Sequence, residues 1–142
     1  MNINTLTVKA QEALQAALVL ARERGQQAVE PLHILAALVR EDDSLPAFLL
    51  GRAGVDVRSL RDGVRRAVEA LPRVTGGAGE QFFSSDASKV VQRAVDFTKK
   101  FNDKYASVEH LLLGTLAERG AASDLLKRAG AAEKVALPLS VS

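Results

Sequence analysis

The sequence contains no cysteine and no tryptophan, and only 4% of it is aromatic. Without cysteine there is no disulfide framework, no thiol nucleophile and no cysteine-ligated zinc. With five phenylalanines and one tyrosine, a core has to be built from aliphatic side chains. The apolar runs fall far short of the roughly 20 residues needed to cross a bilayer. Nor does Met1-Asn2-Ile3-Asn4-Thr5 show the basic start and apolar stretch of a secretory signal. A cytoplasmic protein with no membrane partner is therefore expected. No stretch alternates apolar and polar residues with period two, so no sheet is expected. Charge of one sign is also scarce: 19 basic residues stand against 17 acidic ones. The sequence pI of about 9.2 reflects a small excess of arginine, with little else titrating near neutrality, and argues only weakly for nucleic acid.

What the chain does have is alanine and leucine, in 142 residues that are 47% hydrophobic. That size and composition suit one helical domain with a real core. Ala10, Ala13, Leu14, Ala17, Leu18 and Ala21 recur at helical steps, predicting a first helix from Thr7, its N-cap, to Arg24, with Gly25 as the stop. A second helix is expected from Pro31 to near Glu41, the proline costing nothing at the first helical position. Asp42-Asp43-Ser44 can cap a short third helix that ends at Ala53-Gly54, and Asp56 a fourth that runs to Leu71. Pro72 ends that helix, and the stretch to Phe83, with Gly76-Gly77-Ala78-Gly79, is the one loop of real length. The helical pattern restarts at Ser84 and again at Ser107, where Glu109 stands in the first turn of a helix whose dipole favours negative charge.

The second half repeats the first. His33 and His110 lie 77 positions apart, and Ala87, Val90, Val91, Ala94 and Val95 follow Ala10, Ala13, Leu14, Ala17 and Leu18 at the same offset. Leu125-Leu126-Lys127-Arg128-Ala129-Gly130 follows Leu49-Leu50-Gly51-Arg52-Ala53-Gly54 at 76, so one residue has been lost between them. A tandem duplication accounts for this. Each half is too small to close a core alone. The expectation is an all-α domain over residues 1–133, made of two four-helix repeats packed with pseudo-twofold symmetry. Repeat one covers 1–71, a linker 72–83, repeat two 84–133, and 134–142 is a tail or the start of a linker.

Little in the chain promises catalysis. The glycine-rich stretch lacks the Gly-Lys-Ser/Thr of a phosphate loop. His33 and His110 occupy equivalent places, which suits a structural role in each half, and no spacing of metal ligands accompanies them. Ser84 and Ser85 read as helix caps. No catalytic residue, no metal and no cofactor are expected of these residues. Two features suggest binding. On the fifth helix, Val90, Ala94, Phe97 and Phe101 form one apolar edge and Ala87, Val91 and Val95 another, so the helix is either central to the core or lines a groove. The acidic pair Asp103 and Glu109 stands near Tyr105, where turn and cap chemistry would also account for it. Arg58, Arg61, Arg65 and Arg66 mark the fourth helix as basic, but no aromatic residue interleaves with them as a nucleic-acid platform requires.

Thr7, Glu30-Pro31-Leu32-His33, Leu71-Pro72-Arg73-Val74 with its glycine-rich sequel, and Ser107-Val108-Glu109-His110-Leu111-Leu112-Leu113 together resemble the Clp N-terminal repeat domain, nearest to its ClpB-type disaggregase branch. The resemblance covers about residues 1–133. It implies a domain mobile on a linker, placed ahead of ATPase modules, that contacts unfolded or aggregated polypeptide for delivery to the pore of a homohexamer. By position, it makes Thr7, Asp103 and Glu109 polar contacts for substrate, and Val91 and Phe97 members of an apolar groove. ATP and magnesium would belong to the ATPase modules, for which no Walker motif exists here, and the isolated domain would be a monomer. The ClpC branch tends to carry Glu-His at both helix starts, as sites for phosphorylated arginine. Here only Glu109-His110 has it, because Leu32 precedes His33. The alternative reading is an adaptor-docking or degron-binding domain of a Clp protease ATPase of the ClpC or ClpA type.

Overall fold

The computed structural model describes residues 3–74 and 79–131. Within them lie α1 (Val8–Glu23), α2 (Pro31–Leu38), α3 (Leu45–Arg52), α4 (Val57–Glu69), α5 (Ser85–Lys100), α6 (Val108–Ala117) and α7 (Ala121–Arg128). Four of these helices start at a side-chain oxygen that accepts a first-turn amide. Thr7 Oγ1 accepts from Ala10 at 3.1 Å, Ser44 Oγ from Ala47 at 3.2 Å, Asp56 Oδ1 from Ser59 at 3.3 Å and Ser84 Oγ from Ala87 at 3.0 Å. Each bond satisfies a donor that the helix itself leaves unpaired. The all-helical expectation holds, with four helices before residue 72 and three after it. Residues 84–131 thus hold three helices where four were expected of the second repeat, and the tail over 134–142 lies outside the described residues.

α2 ends three residues short of the expected Glu41. Its last carbonyls find side-chain donors instead of a further turn: Ser44 Oγ donates to the Leu38 carbonyl at 3.2 Å and Arg61 Nε to the Val39 carbonyl at 2.8 Å. A bound from periodicity alone misses such a stop, because the donors come from residues outside the helix.

The expectation of no sheet fails locally. β1 (Ala28–Val29) and β2 (Phe82–Phe83) pair in parallel, and an isolated parallel bridge joins Leu6 to Ala106. Two residues are too few for period-two alternation to show in a sequence. The pairs also explain why Phe82 and Phe83, placed in the predicted linker, are held to the first half. The Ser84 amide donates to the Val29 carbonyl at 3.0 Å, and the Thr7 amide to the Ala106 carbonyl at 2.9 Å. Shifting Thr7 by 77 gives Ser84, and shifting Val29 by 77 gives Ala106. The two bonds thus exchange under the repeat offset, the relation that a twofold axis between two halves produces.

At the centre are the two short, apolar helices α2 and α6. α2 buries Leu32, His33, Ile34, Leu35 and Leu38, and α6 buries every residue from His110 to Thr115. A helix apolar on all sides has to be surrounded. α1 and α4 pack on α2, α5 and α7 pack on α6, and α2 touches α6 directly. α6 meets the backbone of α5 closely because it carries Gly114 at the crossing. A Cβ there would overlap the Val90 carbonyl oxygen and lie 3.2 Å from the Ala94 amide nitrogen.

Candidate functional site

The bridge between Leu6 and Ala106 sets the first turn of α1 beside the first turn of α6. α3 begins on the same side, and the three helix starts enclose an open groove of about 680 Å³. Thr7 and Lys9 from α1, Leu45 and Pro46 from α3, and Val108 and Glu109 from α6 line it, with Ala13 and Leu38 contributing apolar surface. Its lining charges are Glu12, Glu41, Asp43 and Glu109 against Lys9 and Arg40, so the rim is acidic. The N-terminal ends of α1, α3 and α6 meet at this groove, with Glu109 in the first turn of α6.

The place related to this groove by the repeat offset is a recess of only about 170 Å³. Leu32 stands there where the groove has Glu109, and Asp86 where it has Lys9. The duplication therefore produced two comparable corners, and one of them carries the Glu-His pair and the wider opening.

Of the five residues singled out from the sequence, Thr7 and Glu109 come together in the groove. Asp103 does not line it. Its Oδ2 accepts a hydrogen bond of 2.8 Å from His110 Nε2, while His110 Nδ1 accepts from the Ser107 amide at 2.9 Å. A backbone amide can only donate, so Nδ1 is unprotonated and the proton sits on Nε2. Asp103 thus fixes the histidine that closes the first turn of α6, one residue from Glu109. The repeat offset places Gln26 in the corresponding position: His33 Nδ1 accepts from the Glu30 amide at 2.9 Å and Nε2 donates to Gln26 Oε1 at 2.7 Å. Gln26 in turn donates to the Val68 carbonyl at 2.6 Å, tying α2 to the end of α4. Full burial holds the His33 imidazole neutral, lowering its pKa from 6.5 to about 4. Both histidines are structural, as their matched positions suggested.

Val91 and Phe97 stand apart from the groove. Val91 is 4% exposed and belongs to the core against α6, so it is not a surface contact. Phe97 is half-buried on α5 and stacks on Phe101, with ring centroids 6.2 Å apart. The breadth of the apolar face on α5 therefore reflects its place in the core, with Ala87, Val90, Val91 and Ala94 all buried. Sequence reading missed Leu45, Pro46 and Lys9 as lining residues. Leu45, 42% exposed, and Phe48, 55% exposed, fall outside the buried stripe of α3. Such off-stripe apolar residues at helical spacing are the signal that would have marked that helix.

The four arginines of α4 do not present one basic face. Arg61 is committed within the fold, to the Val39 carbonyl and, at 2.8 Å, to Asp42, and Arg65 pairs with Asp62 at 3.9 Å and Glu69 at 3.7 Å. Among the described residues no helix is long and apolar enough to cross a membrane.

Comparison with known proteins places this architecture. The family model of the Clp repeat (R) N-terminal domain matches residues 5–129. The chain is 44% identical over 135 residues to the chaperone protein ClpB of Porphyromonas gingivalis, covering 95% of this chain and 15% of that protein. The fold is similar to the Hsp104 N-terminal domain from Candida albicans, with a TM-score of 0.82 at 23% identity, over 96% of this chain and 89% of that one. It is also similar to a ClpV N-domain solved in complex with a VipB peptide, with a TM-score of 0.71 at 20% identity, over 89% of this chain and 80% of that one. This chain contains no ATPase domain and spans about 15% of the length of the ClpB relative it matches. Its helices, its paired histidine caps and the match across nearly its whole length make it a member of the Clp N-terminal repeat domain family.

Proposed function

We propose that this chain is the substrate-recognition domain of an ATP-dependent disaggregase or unfoldase of the ClpB type, and that it holds unfolded or aggregated polypeptide in the groove between Thr7 and Glu109. The observation that carries this reading is the meeting of Thr7, Glu109, Leu45, Pro46 and Val108 in one open, acid-rimmed groove. Apolar burial is not directional, so aliphatic side chains in an open groove can accept many sequences. The carboxylates on the rim favour segments that carry lysine or arginine beside their apolar residues. The ClpV N-domain in complex with a VipB peptide supports peptide binding by this fold.

Affinity is weak in this reading, because a groove of this size offers little area once the ordering of a disordered chain is counted. Six tethered copies in a homohexamer would raise the effective concentration of sites without any new contact. ATP and magnesium act in modules outside this chain, and the isolated domain is a monomer in the cytoplasm. We infer that the chain is two repeats, 1–71 and 84–133, joined over 72–83; the exchange of the Thr7–Ala106 and Ser84–Val29 bonds under the repeat offset supports this.

An amide-shift titration with a permanently unfolded protein tests the function. Shifts at Thr7, Val108 and Glu109 are expected. A titration that moves none of them, or that moves amides only with a folded adaptor of a Clp protease, overturns the reading in favour of an adaptor-docking domain.

A further inference from the structure

A second groove opens next to the first. It holds about 550 Å³ between α1, α2 and α4. Its floor is Ala16, Val19, Leu20, Ala36 and Val68, with Val19 36% exposed. The two grooves share Glu12, Ala37 and Arg40, so they form one cleft along α1. Ala37, on the wall of this groove, marks a difference between the two halves. Ala37 stands where the second half has Gly114, and only glycine lets two helices meet as closely as α5 and α6 do.

The charge reverses along the cleft. Four arginines, Arg24, Arg40, Arg61 and Arg65, rim the second groove against two glutamates, Glu12 and Glu23. Arg61 is held in place by its bonds to Val39 and Asp42, but the others are loosely committed. Arg40 lies 3.9 Å from Glu41, and Arg65 reaches its acidic neighbours only at 3.7 and 3.9 Å. Arg24 has no ion-pair partner among the described residues. A guanidinium held at such distances gains from a carboxylate offering two oxygens at hydrogen-bond range.

We propose that the α1–α2–α4 groove is a second polypeptide subsite, one that takes small aliphatic side chains flanked by aspartate or glutamate. The proposal rests on the function assigned to the Thr7–Glu109 groove and extends it. The whole cleft then reads a bound segment directionally, with basic residues toward Glu109 and acidic residues toward Arg65. α1 spans about 18 Å from Glu12 to Arg24 at ~1.5 Å per residue, which an extended strand covers in five or six residues at about 3.3 Å each. That is long enough for one apolar stretch and one acidic flank.

Two labelled peptides of ten residues test this, each with the same central Ala-Val-Leu-Ala-Val and either aspartate or lysine on both flanks. Amide shifts and fluorescence anisotropy are read on the whole chain. The aspartate-flanked peptide is expected to move Val19, Ala36 and Val68, and the lysine-flanked peptide Thr7 and Glu109. Arg40→Glu, at an exposed position, should weaken the aspartate-flanked peptide at least fivefold. Val19→Asp should do the same while leaving the lysine-flanked peptide within twofold. Equal affinity of the two peptides, or shifts from both confined to Thr7 and Glu109, overturns the second subsite and leaves the first standing. Shifts from the aspartate-flanked peptide alone, with no response at Thr7 or Glu109 to any unfolded protein, overturn the proposed function instead.

Discussion

Asp103 is the hydrogen-bond acceptor of His110 Nε2, at 2.8 Å, and in that position it replaces an amide, since Gln26 does the same for His33 in the first half. A residue that the family resemblance makes a substrate contact is thus occupied with holding a helix start. Its carboxylate is about half exposed, and the histidine it holds stands one residue from Glu109. Asp103→Ala should lower stability by about 1.5–3 kcal/mol, the range for losing a hydrogen bond to a charged group. Asp103→Asn, which keeps an acceptor, should recover most of that loss in urea denaturation. If binding of unfolded protein falls equally in both variants while only the alanine variant loses stability, the carboxylate itself contacts substrate.

Gly114 makes the sharpest packing demand in the chain. Gly114→Ala forces α6 away from the Val90 carbonyl, which is backbone and cannot swing aside. About 2–3 kcal/mol of destabilisation is expected, as for other overpacked sites, read as a lower urea midpoint with an unchanged slope. Ala37→Gly on α2, at the corresponding position, relieves no clash and should show only the intrinsic helix penalty of about 1 kcal/mol.

Acid sensitivity should have an identifiable source. The His33 pKa is lowered to about 4 in the folded chain from 6.5 in an unfolded one, so between those values the unfolded chain binds the proton more tightly. Stability is fully present above about pH 6.5, falls as the pH drops toward 4, and loses no more through this group below that. The total is on the order of 3 kcal/mol at 1.36 kcal/mol per unit. Asp56 lies below this window, because the Ser59 backbone amide first, and the Ser59 hydroxyl second, hold its carboxyl under its ordinary 3.8. Its contribution persists until the pH falls through that lowered value. His33→Gln keeps a side chain able to accept from the Glu30 amide, as in a capping box, and should flatten the profile between pH 6.5 and 4. A profile as steep as that of the parent would assign the acid loss elsewhere.

Thr7 and Ser84 make the same capping bond in the two halves, and only Thr7 lines the groove. Thr7→Ala and Ser84→Ala should each cost about 1 kcal/mol in stability, and only Thr7→Ala should also weaken binding of unfolded protein. Glu109→Ala should cost less than about 1 kcal/mol, the scale of a charge on a helix dipole, with a severalfold loss of binding. Calorimetry of the three variants beside one anisotropy titration each separates cap from contact.

The helices were legible because each begins at a residue whose chemistry is local. Thr7, Ser44, Asp56 and Ser84 cap what they were read to cap. The repeat offset also identified His33 and His110 as structural. Features that depend on residues far apart were not legible. The pairing of Ala28–Val29 with Phe82–Phe83 is too short to leave a periodic trace, and the end of α2 is set by Ser44 and Arg61, which no helical pattern includes. In the candidate site, Glu109 is marked by the acidic pair it forms with Asp103 in the sequence, whereas Thr7 reads there only as a helix cap and is made a contact by resemblance alone. The broad apolar face of α5 leaves a central helix and a groove-lining one open in sequence; the resemblance makes Val91 a groove residue, and its burial in the core answers for the central helix. Leu45 and Pro46 became lining residues only once α3 was seen beside the starts of α1 and α6.

The bridge between Leu6 and Ala106 also has a consequence for synthesis. At roughly 5–20 residues per second, about 100 residues must follow Leu6 off the ribosome before its partner exists, a delay on the order of 5–20 s. Through that interval Leu6 and the apolar side of α1, with Ala10 and Leu14, have no second half to pack against. Closing so long a segment also makes this contact a late one in refolding from denaturant. Ribosome-stalled chains cut before and after residue 106 should therefore differ sharply in protease resistance at α1.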